Sequence, residues 1–355
     1  ANVNGGGYNP ASGLRSTVAG GQNNIASGNH ANVGGGYGNT TSADWATVAG
    51  GFNNTATGDY ATVAGGKDNT ASNEYANVGG GYGNTASGNY ATVGGGKDNT
   101  ASYYYATVAG GRDNTATGDY SNVTGGYGNT VSGSLSTVDG GYLNTASGNY
   151  ATVAGGESNT ASGDYSFAAG LRAKAEHEGS FVWADSTDAD FRSTVANELN
   201  IRASGGTRIF SNSNATVGVQ LAAGATSWSV LSDRAYKENF VSVDTRNILE
   251  KLSQVPIDEW NLVSQDTSIR HMGPVAQDFY AAFGLGESER HISTTDADGV
   301  ALAAIQGLYS MLQEKDSQIT ALQLEKDAQI MALQQQNAKL EARLDALERA
   351  IADKG

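Results

Sequence analysis

The 355-residue chain contains no cysteine, which excludes disulfides, thiolate nucleophiles and thiolate metal sites. Packing, hydrogen-bonded ladders and association must hold the fold instead. Only 3 prolines accompany 49 glycines. The glycines crowd into the first half without a Gly-X-Y period, so the excess is not collagen. Basic residues are scarce: 21 Lys and Arg against 36 Asp and Glu leave a net charge of −15. Phosphate backbones need a basic stripe, so nucleic acid is not an expected partner. The same charge favours solubility and repulsion between assemblies. No apolar run approaches the roughly 20 residues of a membrane helix, so no membrane span is expected in this segment. The start carries no secretory leader, which says little about export. It opens on Ala1-Asn2-Val3-Asn4, already the middle of a repeat, and the chain is expected to begin inside a longer protein.

What the sequence does have is a period of 15 residues, the first thing to look for in any chain. Valine recurs at Val3, Val18, Val33, Val48 and on to Val153, and asparagine keeps the same step from Asn9 to Asn159. Glycine pairs such as Gly20-Gly21 and Gly65-Gly66 follow the valines. A third column is mostly aromatic, with Trp45, Tyr60, Tyr75, Tyr90, Tyr105, Tyr120, Tyr150 and Tyr165. The unit is close to NTASGDYATVAGG plus two variable residues. YATVAGG alternates side chains of β-forming type, and its glycine pair permits the positive φ of a tight corner. NTASG supplies a second short extended piece. Stacked coils would pair each strand with its copies above and below, in a rod of roughly 50 Å at about 4.7 Å per coil. One valine and a few alanines per coil bury little, and three chains sharing an axis would add the missing contacts.

Those repeats resemble the head repeats of trimeric autotransporter adhesins (YadA-like), over about residues 1–170. The resemblance implies a trimeric, left-handed parallel β-roll, although the repeats of that family are usually shorter by one position. GGYGNT at 35–40, 80–85 and 125–130 superficially matches a calcium-binding GGxGxD motif. The period is wrong and Asn replaces the ligand Asp, so calcium is not expected. The column Thr47, Thr62, Asn77, Thr92 and Thr107 has the form of a flat ice- or glycan-binding face, but a solvated hydrogen-bonding ladder explains it more simply. The recurrence of ANVGGGYGNT at 31–40 and 76–85, and of SNVTGGYGNT at 121–130, a 45-residue step, speaks of duplication.

From Phe167 the repeat gives way to residues 167–231, where FVWAD, LNIRA, TRIF and TVGVQL read as short strands between turns. This is expected to be a β-rich neck. His177 and Glu178 lack companions at metal-ligand spacing and read as solvated loop; no metal or cofactor is expected anywhere.

VLSDRAYKENF, residues 230–240, differs in kind. Ser232 and Lys237 stand five residues apart beside Asp233. A Ser–Lys pair performs acyl transfer when burial keeps the lysine neutral, so that it accepts the hydroxyl proton. Spacing alone carries nothing. Together with SIRHMGPVAQDFYAAFGLG and TTDADGVALAAIQGLYSML, however, SDRAYKEN resembles the endosialidase-type intramolecular chaperones, self-cleaving domains that cap phage tailspikes and fibres. The resemblance covers residue 231 to about 312. It implies a single-turnover serine endopeptidase acting in cis, with Ser232 as nucleophile and Lys237 as general base. The cut would fall between Leu231 and Ser232. His271 matches the family histidine, read either as an orienting or acid group or as a packing residue.

Residues 299–354 form one long helical pattern. Ile305, Leu308, Leu312, Ile319 and Leu322 make a heptad seam that continues through Leu333, Asn337, Leu340, Leu344, Leu347 and Ile351. The 11-residue step from EKDSQITALQL to EKDAQIMALQQ relaxes the left-handed twist that heptads impose. Asn337 falls at an a position, where a polar residue fixes register at a cost in stability.

The expected architecture is thus mostly β with an α C-terminus. A trimeric β-solenoid shaft (1–166) leads through the neck (167–231) to an α+β chaperone core (232–298) and a trimeric coiled coil (299–355). The expected function is a homotrimeric surface or tail fibre whose C-terminal domain drives trimerisation and then severs itself. One alternative is an adhesin that holds a cell-surface or glycan receptor through the shaft or an N-terminal tip. The other is a phage tailspike with an upstream enzymatic domain. The expected location is extracellular, on a cell surface or a virion.

Overall fold

The computed structural model describes residues 1–353, so the last two positions of the expected coiled coil lie outside the described residues. The chain forms two compact units, one of residues 1–209 with 220–229, the other of residues 210–219 and everything from 230 onward.

The first unit is a parallel β-solenoid with one sheet of 14 short strands and another of 12. Most coils contribute two residues to each sheet, as Thr47–Val48 and Thr55–Ala56 do. The next coil pairs one full repeat further along, Thr47 with Thr62 and Thr55 with Thr70. Side chains alternate across a strand, so Val48 and Ala56 point inward and are fully buried while Thr47 and Thr55 are half-buried on the outside. Ala61 completes the apolar interior of the coil. The expected solenoid is present, and its sparse apolar column is buried within a single chain.

Asparagine makes that possible. From Asn24 to Asn159 the column lies fully inside the roll. Asn54 Nδ2 donates to the carbonyls of Gly50 and Gly66, both at 2.9 Å, and its Oδ1 accepts the Asn69 N–H at 3.0 Å. A buried amide is tolerated only when its hydrogen bonds are made, and here both donors and the acceptor are engaged. The second glycine of each pair is fixed by the same contacts. A Cβ on Gly51, at φ +98°, would stand 2.2 Å from the Gly66 oxygen and 2.5 Å from Asn54 Nδ2.

The opposite corner holds the aromatic column in the left-handed region, with φ of 59° at Tyr60 and 54° at Tyr75. Non-glycine residues adopt this at some cost. The Tyr75 N–H donates to the Asp59 carbonyl at 2.9 Å, and the rings of Tyr60 and Tyr75 stack 4.9 Å apart.

The regular identity pattern ends at Phe167, but the ladder continues. Thr152 pairs with Phe167, Phe167 with Phe181 and Phe181 with Leu199, so the coil first shortens and then lengthens. The shorter coil drops one residue at the glycine pair, so Gly156 pairs with Gly170. The longer one inserts extra residues before Phe191, which pairs with Ala173. Ala173 ends the asparagine column, its N–H donating to Asn159 Oδ1 at 2.8 Å. Arg202 closes the coil by an ion pair with Asp185 at 3.0 Å. Two of the expected neck strands, FVWAD and LNIRA, thereby extend the solenoid sheet; Gly206–Phe210 and Gly218–Ala222 lie outside both long sheets.

The second unit carries helices α1 (Thr245–Leu252), α2 (Ala276–Phe283) and α3 (Thr294–Ala352). Asp244 caps α1 by accepting the Arg246 and Asn247 N–H groups. Gly307 lets α1 and α3 approach closely: a Cβ there would stand 2.4 Å from the Thr245 oxygen. Arg246 bonds Glu314 at 2.6 Å across the same pair. Beyond this packing α3 is exposed on every side, including the apolar seam from Leu308 to Ile351.

Candidate functional site: the Ser232–Lys237 turn

Asp233 shapes the site. Its Oδ1 accepts the Ala235 N–H at 2.8 Å and caps a single 3-10 turn, Arg234–Tyr236. The turn closes with the Lys237 N–H donating to the Arg234 carbonyl at 3.2 Å. This folds the chain back on itself, so that a five-residue spacing becomes a contact: Lys237 Nζ donates to Ser232 Oγ at 2.5 Å. Just upstream, the Leu231 N–H donates to the Gly218 carbonyl at 3.3 Å, holding the residue that precedes the serine. Leu231, Asp233, Tyr236 and Lys237 line a cleft with Val217 and Thr294. Serine and lysine are both exposed in the single chain. A lysine serves as a base only when desolvation favours its neutral form, and the contact between these two side chains is made here without dry surroundings.

His271 lies elsewhere in this unit. Its strand, His271–Gly273, pairs antiparallel with Asp258–Trp260, placing His271 opposite Trp260. The two rings are 4.8 Å apart and tilted by 30°. His271 Nε2 is 2.8 Å from Gln265 Oε1, so in the tautomer protonated there it donates to the amide oxygen. Among the described residues it makes no hydrogen bond to Ser232 or Lys237. Asn337 lies on the exposed part of α3.

Other sequence features fall into place in the shaft. The Asn of each GGYGNT motif points into the roll, as Asn84 does, bonded to Gly80 and Gly96. His177 Nδ1 meets Ser193 Oγ at 2.8 Å. The threonine column lies half-buried along the outer face of one sheet.

Sequence reasoning missed a second exposed column, at the corner opposite the tyrosines. Tyr37, Phe52, Lys67, Tyr82, Lys97, Arg112, Tyr127 and Tyr142 follow one another at successive coils. Lys67 Nζ sits 5.4 Å from the Phe52 ring and 5.3 Å from that of Tyr82, while Arg112 covers Tyr127 at 5.3 Å. Its signal was available: the residue after each glycine pair is either aromatic or cationic over most coils.

Residues 232–284 match the family described as chaperone of endosialidase, a span that opens on Ser232 and includes Lys237 and His271. Residues 16–28 match the family described as ubiquitous surface protein adhesin repeat. No curated protein matches the chain. A repeat head is followed by a chaperone domain.

Proposed function

We propose that this chain is part of a homotrimeric surface or phage-borne fibre, and that its C-terminal domain brings three copies into register, folds the shaft and then cuts itself free. The observation that carries the cleavage is the 2.5 Å contact between Lys237 Nζ and Ser232 Oγ, at the first residue of the chaperone match. Association of the copies supplies the desolvation that the exposed lysine lacks. Neutral Lys237 takes the Ser232 hydroxyl proton, and Oγ bonds to the Leu231 carbonyl carbon. The Leu231–Ser232 C–N bond breaks and its nitrogen gains a proton, leaving an ester of Leu231 on Ser232. Water hydrolyses the ester to a Leu231 carboxylate and the free Ser232 hydroxyl. His271 is assigned a packing role, because its partners are Trp260 and Gln265. The solenoid shaft runs through Arg202, the chaperone core opens at Ser232, and the coiled coil lies on α3 beyond its packing against α1.

The test is a denaturing gel with mass spectrometry of the intact gene product. Fragments ending at Leu231 and beginning at Ser232 are expected, with one full-length band for Ser232→Ala and nearly so for Lys237→Met. An intact wild-type chain after prolonged incubation at neutral pH would end the cleavage claim.

A second reading, an adhesin with a host-surface or glycan receptor, is favoured by the adhesin-repeat match and by the rows of exposed aromatic rings along the shaft.

A further inference from the structure

One coil breaks the repeat at its aromatic corner. Where Ser87–Tyr90 and Ser147–Tyr150 read Ser-Gly-Asn-Tyr and Ser162–Tyr165 reads Ser-Gly-Asp-Tyr, this one carries Ser102-Tyr103-Tyr104-Tyr105. Tyr105 stays in the ladder, stacked on Tyr90 at 4.8 Å and on Tyr120 at 5.0 Å, so both its faces are taken. Tyr104 stands at 83° to Tyr105 with centroids 4.8 Å apart, and lies almost evenly between Tyr90 at 5.8 Å and Tyr120 at 6.3 Å. A ring so placed rests one face on the edges of the stack and turns the other outward. Edge-to-face contact of this kind is favourable because ring edges are positive and faces negative. Tyr104 is 42% exposed, and its outward face is therefore a negative π surface with no ring upon it.

Its surroundings are acidic. Glu74 and Asp119 occupy the equivalent position two coils before and one coil after Tyr104, and neither carboxylate has a hydrogen-bond or ion-pair partner among the described residues. No Lys or Arg occurs at positions 58–60, 73–75, 88–90, 103–105 or 118–120. The phenols of Tyr90, Tyr104, Tyr105 and Tyr120 have no hydrogen-bond partner there either. Burial against neighbouring groups, with Glu74 adding to it, raises the Tyr90 and Tyr104 hydroxyls above the ordinary phenol value. At the opposite corner the chain covers its own aromatic faces with Lys67, Lys97 and Arg112. The Tyr104 corner has the aromatic faces and the acids but lacks the cation.

The geometry points to a binding site for arginine or lysine side chains of an extended cationic polypeptide, centred on Tyr104 with Tyr103 beside it and Glu74 and Asp119 as counter-charges. A guanidinium lies flat on the outward ring face and donates to a carboxylate, combining cation–π attraction with an ion pair. This goes beyond the fibre reading and does not depend on cleavage.

The probe is the peptide acetyl-Gly-Arg-Gly-Arg-Gly-Arg-Gly-amide, titrated by calorimetry into the assembled full-length chain, with its citrulline counterpart as the neutral control. The informative variant is Tyr103→Gly/Tyr104→Asn. It restores the sequence at Ser87–Tyr90 and Ser147–Tyr150, so the coil is expected to fold, and it changes no charge. Saturable binding of the arginine peptide is expected, weakened about fivefold by the double variant. Glu74→Gln and added salt should weaken it further, and the citrulline peptide should bind far less. Equal affinity in wild type and the double variant would overturn the proposal, leaving only diffuse attraction to an acidic protein. Binding of a neutral oligosaccharide in preference to the peptide would overturn it in favour of a glycan. No peptide binding by the assembled chain would overturn it in favour of a neighbouring copy on that face.

Discussion

The Asn99 N–H donates to Asn84 Oδ1 over 3.0 Å, inside a roll where both residues are fully buried. Asn84 Nδ2 reaches the Gly80 carbonyl at 2.8 Å and the Gly96 carbonyl at 3.0 Å. One side chain thus ties neighbouring coils together and replaces the apolar mass the repeat lacks. Asn84→Ala would strand the Gly80 carbonyl and the Asn99 N–H, and would leave the Gly96 carbonyl with the Tyr82 N–H alone. At roughly 1–3 kcal/mol for each unsatisfied group, a loss of about 2 kcal/mol or more is expected in denaturant unfolding. Gly81→Ala should do comparable damage, since its Cβ would meet the Gly96 oxygen at 2.1 Å in a backbone at φ +90°. A change at Thr85, half-buried on the outside, should matter far less.

The repeat was legible because the same residue types return at a fixed step, and the solenoid follows from that step. The inward turn of asparagine was not, because Asn in a polar stretch reads as a turn former; only the coil geometry reveals three partners waiting inside. That hidden ladder also removes one argument for association. Val48, Ala56 and Ala61 are already buried in a single chain, so the case for several copies passes to the bare seam of α3. The ladder beyond Phe167 escaped notice because pairing needs backbone, not identity, and coils of unequal length continue it. At the candidate site the spacing of Ser232 and Lys237 was visible, but the capped turn that joins them was not.

Acid should loosen the last coil first. Asp185 accepts the Ser204 N–H at 2.7 Å, and this bonding holds its carboxyl well below the ordinary 3.8. Glu198 accepts the Thr194 N–H at 2.7 Å and is pulled from 4.5 to about 2. Both values are depressed by folding, so their stabilisation is fully present above the unfolded values. It is lost as pH falls through the folded ones, a window that opens near pH 4 and runs to about 2. Amide protection factors at Thr194 and Ser204 should drop across that window while those at Thr85 hold. Equal protection throughout would show that these carboxylates do not secure the coil.

The tail should bring three chains together. Leu312, Ile319, Leu322, Leu333, Leu340 and Leu344 lie exposed along α3, a seam that heptad spacing places on one face. Light scattering of the full chain at micromolar concentration should give three times the chain mass. Asn337→Ile should raise the melting temperature of the isolated tail while loosening its register, because a polar a-position residue trades stability for alignment. A monomeric or dimeric mass would contradict the three-fold reading.

The segment from Ser232 onward is expected to be needed to fold the shaft but not to keep it folded. Coils of near-identical sequence can slip by a whole repeat, since Thr85 pairs with Thr70 much as it would with Thr55. Association of such chains is non-local and slow, and it leaves edges open to aggregation. A coiled coil forms from local contacts and can align the chains first. Once assembled, the stacked coils unfold only together, so persistence becomes a matter of the unfolding barrier. The most direct measurement compares two samples of residues 1–231, one expressed alone and one released from the full-length assembly by a protease at an engineered site. Aggregates or monomers are expected from the first, and a soluble trimer resistant to heat and protease from the second. The same stable trimer from the truncated gene would contradict the account and reduce the C-terminal domain to a cap.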